Sequence, residues 1–426
     1  MRVAARILPA GSALGLLARR VSNVKQPATT STAAPLPDEQ ATRLLMQLLA
    51  IPGPSGGERK VVEFLRQQLG KAGVSSSELK TDDAQRRSAL GGEVGNLVLR
   101  LPGTVRGPRR MLSAHLDTVP ICVGTKPVKR GQRIEAADPQ AGLGGDDRAG
   151  VAVLLSTALS ILRNKLPHPP LTFLWTVQEE AGLHGARNVR LSALGKPQLA
   201  FNWDGNLANR LTIGATGGYR MQIQIRGIAS HAGGHPEKGV SAIVIASLAT
   251  ADLVEHGWHG LIEKGRQRGT SNIGVIAGGV ATNVVSDLVN IKAEARSHDP
   301  AFRKRIVREI ERAYRRAVKK VRSSDRRRGE VDIQGHLDYE SFLLSKDDPS
   351  VLAAAAAVEA AGSDVDFAIA NGGLDANWLT AHGIPTVTLG CGQNEIHTAA
   401  EWLDLEEFHR ARRIALHLAT TTSNAK

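Results

Sequence analysis

From residue 38 onward, short apolar segments alternate with longer amphipathic ones, and this alternation restricts the fold more than any other feature of the chain. The short segments have the composition of strands, and they are GNLVLRLPG, RRMLSAHLD, LTFLWTV, QLAFNWDG and IPTVTLG. The longer segments have helical spacing, as in DEQATRLLMQLLAI, ERKVVEFLRQQLGKAG and residues 147–163. Strands interleaved with helices predict an α/β fold with a doubly wound mixed sheet.

Residues 215–330 interrupt that pattern, because their apolar residues are spaced differently. It begins with GYRMQIQIRG, whose alternation is typical of a half-exposed antiparallel strand. A helix, two more strands and a basic helix follow. We therefore predict an inserted α+β domain of two helices on a four-stranded sheet over residues 215–330. The larger α/β domain then consists of residues 38–214 and 331–426.

The net charge of +13 comes from two pieces of the chain. Residues 1–37 contain five basic residues and no acidic one, and residues 303–328 contain thirteen basic residues against three acidic ones. Apolar residues recur at helical spacing in the second piece, which predicts an amphipathic helix with a basic, solvent-exposed face. A nucleic-acid patch is the alternative. Because an aromatic content of 4% argues against base stacking, we expect no nucleic-acid partner.

The cysteine content and the hydropathy indicate the environment of the protein. Cys122 and Cys391 are the only cysteines, which excludes a disulfide scaffold and favours a reducing, cytoplasmic compartment. Since no apolar run reaches the length of a membrane span, we expect no membrane partner. We interpret residues 1–37 as a disordered leader or a targeting segment, because they are rich in arginine and lack a clear cleavage site.

Histidines and carboxylates stand near the ends of the predicted elements. They are His115, Asp146, Glu180, Asp204 and His397. Ligands of open α/β sheets bind outside the carboxyl ends of the strands, so we expect these side chains to converge. Two imidazoles and three carboxylates suit a pair of Zn²⁺ ions. Each motif alone also has an ordinary explanation, such as a helix N-cap for the aspartate pair in GGDDRAG.

Seven motifs, in this order, resemble those of the M20 family of co-catalytic zinc metallopeptidases. They are SAHLDTVP, GGDDRAG, TVQEEAGLHGAR, NWDG, SHAGGHPEKG, NGGLDANWL and GCGQNEIHTAAEWL. The resemblance runs from about residue 40 to the end of the chain. The family includes peptidase T, glutamate carboxypeptidases and acyl-amino-acid deacetylases. The resemblance implies that the larger domain is catalytic and that the inserted domain is a lid that also mediates dimerisation.

The resemblance implies a set of five metal ligands. His115 and His397 bind one Zn²⁺ each, Asp146 bridges the two ions, and Glu180 and Asp204 complete the coordination. Co²⁺ and Mn²⁺ are expected substitutes for zinc. The family also has a cis peptide directly after the bridging aspartate.

The resemblance assigns catalytic roles to three further residues. Glu179 is the general base, which takes a proton from the attacking water and returns it to the leaving nitrogen. Asp117 accepts a hydrogen bond from the second ring nitrogen of His115. His231, in the inserted domain, reaches the oxyanion, often from the neighbouring subunit. A homodimer through the lid is therefore expected.

Five residues match family positions that contact the substrate, and they are Asn283, Arg296, Gly372, Gly373 and Asn377. Arg296 has the side chain to grip a substrate carboxylate with two nitrogens, and an ordinary surface arginine is the alternative. Asp375 either meets a substrate amine or makes a structural hydrogen bond. Cys391 either contacts metal or packs as a small buried side chain.

Three hypotheses about function follow. The first is a di-zinc exopeptidase of the peptidase T type, aminopeptidase or carboxypeptidase, which cleaves short peptides. The second is an N-acyl-amino-acid amidohydrolase with the same chemistry. The third is a non-catalytic family member that binds an acidic partner through its basic helix. The third hypothesis requires a missing ligand or base, and all of them are present in this sequence.

Overall fold

The computed structural model describes residues 35–421. They form a central sheet, a second sheet inserted into it, a small third sheet, and helices that pack on the first two. The predicted leader, residues 1–37, lies outside the described residues except for its last three positions. Between residues 35 and 421, none of the helices combines the length and the apolar composition needed to cross a membrane.

Within the described chain, nine strands form the central sheet, which is mixed as predicted. They are β1 (Leu79–Thr81), β2 (Leu97–Leu101), β3 (Arg110–His115), β6 (Leu171–Thr176), β7 (Leu199–Trp203), β8 (Arg210–Ala215), β14 (Phe342–Leu343), β15 (Asp366–Ala370) and β16 (Thr386–Leu389). Their order is β1-β2-β6-β3-β7-β16-β8-β14, and β15 pairs with β8. The central strands β6, β3, β7 and β16 are parallel. Strands β3 and β6 are buried along their whole length, because helices cover both faces.

The described residues contain eleven α-helices. They are α1 (Asp38–Leu49), α2 (Arg59–Lys71), α3 (Ala84–Arg87), α4 (Gly145–Asn164), α5 (His184–Arg187), α6 (Leu191–Leu194), α7 (Ala242–Glu255), α8 (Pro300–Lys320), α9 (Pro349–Ala360), α10 (Asp375–Ala381) and α11 (Leu405–Thr420). Helices α1, α2, α4, α9 and α11 share an apolar core with one face of the central sheet. Helices α5, α6 and α10 pack on the other face. The doubly wound α/β fold is thereby confirmed.

Helix α4 is the most deeply buried helix, and it starts at the predicted site. Its residues from Gly145 to Ile161 are all buried, as expected for a helix that is apolar on every side. Gly144, directly before it, has φ 79°, a left-handed conformation that glycine adopts without steric cost. Asp146 and Asp147 have non-helical backbone angles, and the peptide between them is cis, as the resemblance implies.

The inserted segment forms an antiparallel sheet of five strands within the described chain, with α7 and α8 on one face. Its strands are β9 (Gly217–Arg226), β10 (Gly260–Lys264), β11 (Gln267–Gly278), β12 (Leu288–Ser297) and β13 (Glu330–Tyr339), in the order β10-β11-β12-β9-β13. The prediction of four strands is wrong. Strand β13 pairs with β9 from Gly218 to Arg226, and the predicted domain boundary at residue 330 falls at its start. Val331, Ile333, Leu337 and Tyr339 alternate with polar residues along β13, and the prediction overlooked this alternation.

A small sheet that the sequence does not predict holds the loop around His397. It contains β4 (Pro127–Arg130), β5 (Arg133–Ala136), β17 (Gln393–Asn394) and β18 (Trp402–Asp404), in the order β17-β18-β5-β4. Strands β17 and β18 pair antiparallel, so both ends of the loop between them are fixed. This loop carries His397 and Glu401.

Two short crossings connect the inserted five-stranded sheet to the central sheet. Thr216 lies between β8 and β9, and Glu340 lies between β13 and β14. Asn377 of α10 donates from Nδ2 to the main-chain oxygens of Thr216 (2.9 Å) and Glu340 (2.7 Å). The buried Arg303 of α8 donates from Nη2 to Oε1 of Glu340 (2.7 Å). One amide group therefore holds both crossings side by side.

Candidate metal and catalytic site

The side chain of Asp146 lies between two imidazoles. Its Oδ1 is 3.0 Å from Nε2 of His115, and its Oδ2 is 3.1 Å from Nε2 of His397. His115 is the last residue of β3 and is 2% exposed. Asp146 belongs to the start of α4, and His397 to the loop between β17 and β18. Three distant parts of the chain thus bring three of the predicted ligands together.

Glu180 and Asp204 lie at the same edge of the sheet. Oε1 of Glu180 is 2.9 Å from Nε2 of His397. Asp204 directly follows β7, and its pKa responds to the charges of Asp146 and Glu180. One ligand atom each from His115, Asp146 and Glu180 lie within 4.8 Å of one another. This separation suits side chains that share a cation.

Asp117 fixes the turn that carries the adjacent glutamates. Its Oδ1 accepts a hydrogen bond from the main-chain N of Glu179 (2.9 Å). Its Oδ2 accepts from the main-chain N of Glu180 (3.1 Å) and from Oγ of Ser55 (2.6 Å). Nδ1 of His115 is 3.1 Å from the main-chain oxygen of Asp117 and 3.4 Å from its Oδ1. One fully buried carboxylate therefore orients an imidazole and both glutamates.

The two adjacent glutamates approach different members of the cluster. Oε2 of Glu179 is 4.0 Å from Nε2 of His115, whereas Glu180 contacts His397. Gln178, just before them, has φ 56°, and His397 has φ 64°. Left-handed backbone is uncommon for residues other than glycine, and such conformations are concentrated at functional sites. The backbone at this cluster therefore has the character of a functional site.

Asp147, the second aspartate of the pair, has partners of its own. Its Oδ2 accepts from the main-chain N of His115 (3.0 Å), and its Oδ1 accepts from the main-chain N of Gly150 (3.0 Å). Nε2 of Gln393 also donates to Oδ1 (2.8 Å), a contact that the sequence does not predict. The fully buried Cys391 has its Sγ 3.8 Å from the same oxygen. Asp147 therefore braces β3 and α4 rather than facing the imidazoles.

Glu401 is a buried carboxylate that sequence reasoning missed. Its Oε2 accepts from the main-chain N of Leu143 (2.8 Å) and Gly144 (2.7 Å), and its Oε1 accepts from that of Asp146 (3.1 Å). The first N–H groups of a helix have no acceptors within the helix, and Glu401 supplies one for Asp146 in the first turn of α4. It also binds the two N–H groups just before that helix. It thereby holds the turn that positions Asp146. One indication of Glu401 in the sequence is its position four residues after His397 in the motif GCGQNEIHTAAEWL.

The carboxylates of the cluster outnumber its imidazoles, since Asp146, Glu179, Glu180 and Asp204 face His115 and His397. Burial raises the pKa of Asp204 to about 8, and the neighbouring charge of Asp146 adds to this. Burial also raises the pKa of Glu179 well above its usual range. Hydrogen bonds to Asp146 and Glu180 raise the pKa of His397 to about 10. Within residues 35–421 no lysine or arginine pairs with these carboxylates. A divalent cation would supply the missing positive charge.

His231 and Asn283 lie together in the inserted segment, outside this cluster. His231 forms an isolated bridge with Val284, and the main-chain oxygen of Asn283 accepts from the N of Ala232 (2.9 Å). Both residues are exposed. In the part of the chain that the structure describes, their hydrogen bonds and ion pairs do not reach the cluster. Their predicted roles stay predictions.

Two of the predicted substrate residues already use their polar groups within the chain. Nε and Nη2 of Arg296 each lie 3.0 Å from a carboxylate oxygen of Glu294. Both amide hydrogens of Asn377 bind the crossings, and its Oδ1 accepts from the N of Leu374 (2.8 Å). Asn377 therefore binds the two crossings between the sheets. Its contact with substrate stays a prediction.

The loop before α10 contains the predicted glycine pair. A Cβ on Gly373 would lie 2.7 Å from Cζ of Tyr339, so a larger residue there would collide with the ring. A Cβ on Gly372 would meet open space. Oδ2 of Asp375 accepts a hydrogen bond from Oγ1 of Thr176. Of the two alternatives for Asp375, the structure therefore supports the structural hydrogen bond.

Comparison with known proteins adds an observation independent of this geometry. Residues 111–421 match the model of peptidase family M20/M25/M40. The chain belongs to this family. Over 363 residues the peptidase is 32% identical to the uncharacterized protein YqjE of Bacillus subtilis (strain 168). The aligned segment covers 85% of this chain and 92% of that protein.

Solved structures of peptidases share the fold of this M20 peptidase. Aminopeptidase PepT from Bacillus cereus ATCC 10987 has a TM-score of 0.78 and 30% identity, over 90% of this chain and 98% of that one. A tripeptidase from Staphylococcus aureus subsp. aureus Mu50 has a TM-score of 0.81 and 27% identity, over 91% of this chain and 99% of that one. The predictions of the family, of the α/β fold and of a hydrolase acting on peptide bonds are confirmed.

Proposed function

We propose that this peptidase is an exopeptidase that cleaves short peptides and uses two Zn²⁺ ions. The observation that carries the proposal is the approach of His115, Asp146 and Glu180 to within 4.8 Å of one another. Imidazoles and carboxylates are the ligands that zinc uses in catalytic sites. The similarity to an aminopeptidase PepT and to a tripeptidase supports a short peptide as the substrate.

The donor set fits a pair of cations. The two oxygens of Asp146 face different imidazoles, so each oxygen can serve one ion. We assign Glu180 to the ion of His397, because these two side chains are 2.9 Å apart. In this proposal, Asp204 is a ligand of the ion that His115 binds.

Glu179 is the general base of the proposed reaction. When bound, the metal ions supply Lewis-acid polarisation of the substrate carbonyl. The carboxylate of Glu179 takes a proton from the attacking water and gives it to the leaving nitrogen. Asp117 holds the main chain of Glu179 in place for this transfer.

His231 has the tautomer that an oxyanion donor needs. Its Nδ1 accepts from the main-chain N of Gly233 (3.2 Å) and Gly234 (2.9 Å). A neutral imidazole whose Nδ1 accepts carries its proton on Nε2, as these contacts assign it here. In the proposal, this Nε2–H stabilises the oxyanion of the transition state in the cleft of a second subunit.

A homodimer through the lid completes the proposal. Helix α7 exposes Ile243, Val244 and Leu248 to solvent. Strand β10 pairs with β11 only as far as Ser271, so within the described chain residues 274–278 have no strand on that side. An apolar helix face near an unpaired strand edge favours extension of the sheet by a second copy.

The test combines metal removal with a substrate panel. Exhaustive chelation should abolish hydrolysis of a tripeptide, and Zn²⁺ or Co²⁺ should restore it. The panel adds peptides with C-terminal glutamate and N-acyl amino acids, and release of amino acids is measured for each. Cleavage of N-acyl amino acids alone would favour the amidohydrolase alternative. Activity that survives complete chelation would contradict the metal proposal.

A further inference from the structure

Four charged side chains, which we call the lid ion cluster, lie on the sheet face opposite α7 and α8. They are Arg220 of β9, Glu294 and Arg296 of β12, and Asp338 of β13. Nε of Arg220 is 2.9 Å from Oδ2 of Asp338, and its Nη1 is 3.5 Å from Oε2 of Glu294. Glu294 also binds Arg296 through two parallel hydrogen bonds of 3.0 Å. The cluster contains two positive and two negative side chains, so its charges balance.

The lid ion cluster lies beside the catalytic turn. A Cβ on Gly182, which follows Glu180 closely in the chain, would lie 3.5 Å from Oδ1 of Asp338. Just beyond β12, Nε2 of His298 is 3.2 Å from Oδ1 of Asn371. Asn371 immediately precedes the glycine pair that the sequence predicts in the substrate pocket. The cluster therefore borders both the turn that carries the proposed base and the predicted pocket loop.

We propose that Glu294 is a specificity-determining residue, which occupies Arg296 in the free enzyme and yields it to the C-terminal carboxylate of a peptide. This inference rests on the proposed function. The paired contacts of Glu294 have the planar, two-point geometry that a peptide carboxylate would use on a guanidinium. Glu294 therefore competes with the substrate from within the chain.

The competition affects only those peptide ends that take Arg296 from Glu294. A full carboxylate can replace Glu294 on Arg296 with equivalent hydrogen bonds and charge. A neutral end, such as a C-terminal amide, cannot do so, because the displaced Glu294 would lose a charged partner without compensation. The KM of a peptide acid therefore includes the cost of separating Glu294 from Arg296, and the KM of the matching amide does not.

The experiment compares a tripeptide with its C-terminal amide on wild type and on Glu294→Gln at constant ionic strength. The inhibition constant replaces KM for a peptide that binds without being cut. We expect the KM of the acid to fall about two- to fivefold, as for the loss of one partly exposed ion pair. The value for the amide and both kcat values should not change. An equal change for both peptides, or a rise for the acid, would overturn the inference.

Two further variants make the result specific. In an Arg296→Gln background, Glu294→Gln should have no effect on the acid-to-amide ratio. Asp252→Asn is the matched control, since Asp252 is another lid carboxylate paired with an arginine, Arg316 on α8; it should leave both KM values unchanged. If wild type hydrolyses neither peptide nor any other amide, the proposed function fails. If it hydrolyses them and Glu294→Gln leaves the ratio unchanged, only this inference fails.

Discussion

The metal and catalytic cluster differs from a second charged group, which we call the N-terminal anchor and which consists of Asp38, His409 and Arg412. The anchor contains its own positive charge, the buried Arg412. In the anchor, Nη1 of Arg412 donates to Oδ1 of Asp38 (2.7 Å) and to Nδ1 of His409 (2.8 Å). Its Nη2 donates to the main-chain oxygen of Leu36. In the metal and catalytic cluster, two imidazoles face a larger number of carboxylates, and within residues 35–421 no lysine or arginine pairs with those carboxylates.

The difference separates stability from function. A buried charge with its partners in the same chain fastens one segment to another, as Arg412 fastens the start of α1 to α11. A buried group that lacks positive charge costs folding free energy, and such groups occur mainly where a ligand or a reaction needs them. Substitutions in the anchor should therefore change stability, and substitutions in the cluster should change metal binding or turnover.

The largest effect should come from Glu179→Ala. We expect kcat to fall about 10²- to 10⁴-fold, because the reaction loses its general base. Bound metal should stay near two ions per chain, measured by elemental analysis, and the free energy of unfolding should change little. Glu406→Ala, an exposed glutamate on α11, is the control. Loss of metal in Glu179→Ala would mean that Glu179 is a ligand, and the roles of Glu179 and Glu180 would be exchanged.

The next effect concerns His231, the proposed oxyanion donor. His231→Ala should lower kcat about 10²- to 10³-fold, as removal of an oxyanion donor does. A mixture of subunits carrying Glu179→Ala and His231→Ala should regain activity, because a mixed dimer contains one cleft with both groups intact. A mixture that stays inactive after subunit exchange would place His231 in the cleft of its own chain.

Glu401→Gln should weaken metal binding about 10- to 100-fold, a typical loss for a residue that orients metal ligands. The amide would point an N–H toward main-chain donors that now bind a carboxylate. The dissociation constant for Zn²⁺ measures the effect, and saturating metal should restore most of kcat. Glu395→Gln, at an exposed position of the same loop, is the matched control. An unchanged dissociation constant with lower stability would make Glu401 purely structural.

In the anchor, Arg412→Met should lower the free energy of unfolding by about 1–3 kcal/mol, because the buried oxygen of Leu36 loses its donor. Chemical denaturation measures this change. At a temperature where both proteins are folded, kcat and metal content should equal those of wild type. A fall in kcat without loss of stability would show that the two regions are coupled.

The smallest effect is a pH dependence in the anchor. Burial lowers the pKa of His409 to about 4, with Asp38 opposing and Arg412 adding to the shift. Since the unfolded chain protonates near pH 6.5, it binds more protons than the folded chain between pH 6.5 and 4. The free energy of unfolding should therefore fall as pH falls through this window. His409→Gln should flatten that slope, and an unchanged slope would assign it to other groups.

Much of the fold could be predicted because its central strands are apolar throughout. Buried parallel strands such as β3 and β6 stand out from any surface segment, and His115 and Glu180 could be found at or just beyond their ends. Strand β13 was missed although its apolar residues alternate, because Gly335 and several charged residues interrupt the apolar pattern. The strands around His397 are too short for any apolar periodicity to mark them.

The contacts that position the site were harder to foresee. Glu401 and Asp147 bind main-chain N–H groups, which nearly every residue has, so no pairing pattern in the sequence points to them. Asn377 lies in a recognisable motif, but its partners are main-chain oxygens at the two crossings. The hydrogen bond between Glu294 and Arg296 joins two residues of the same strand, β12. Its position beside the turn that carries Glu179 and Glu180 depends on tertiary packing, which the sequence does not show.

Because Asn377 holds both crossings together, we expect any rotation of the inserted segment to occur about an axis through them. Arg296 pairs across the sheet with Gly218, next to that axis, whereas His231 lies beyond the far end of β9, about 30 Å along the strand. If the inserted segment rotates about that axis, the imidazole moves through a wide arc and the guanidinium moves little. Under the proposed function, Arg296 would then stay at a fixed distance from the substrate carboxylate, and the position of His231 would control when the oxyanion gains its donor.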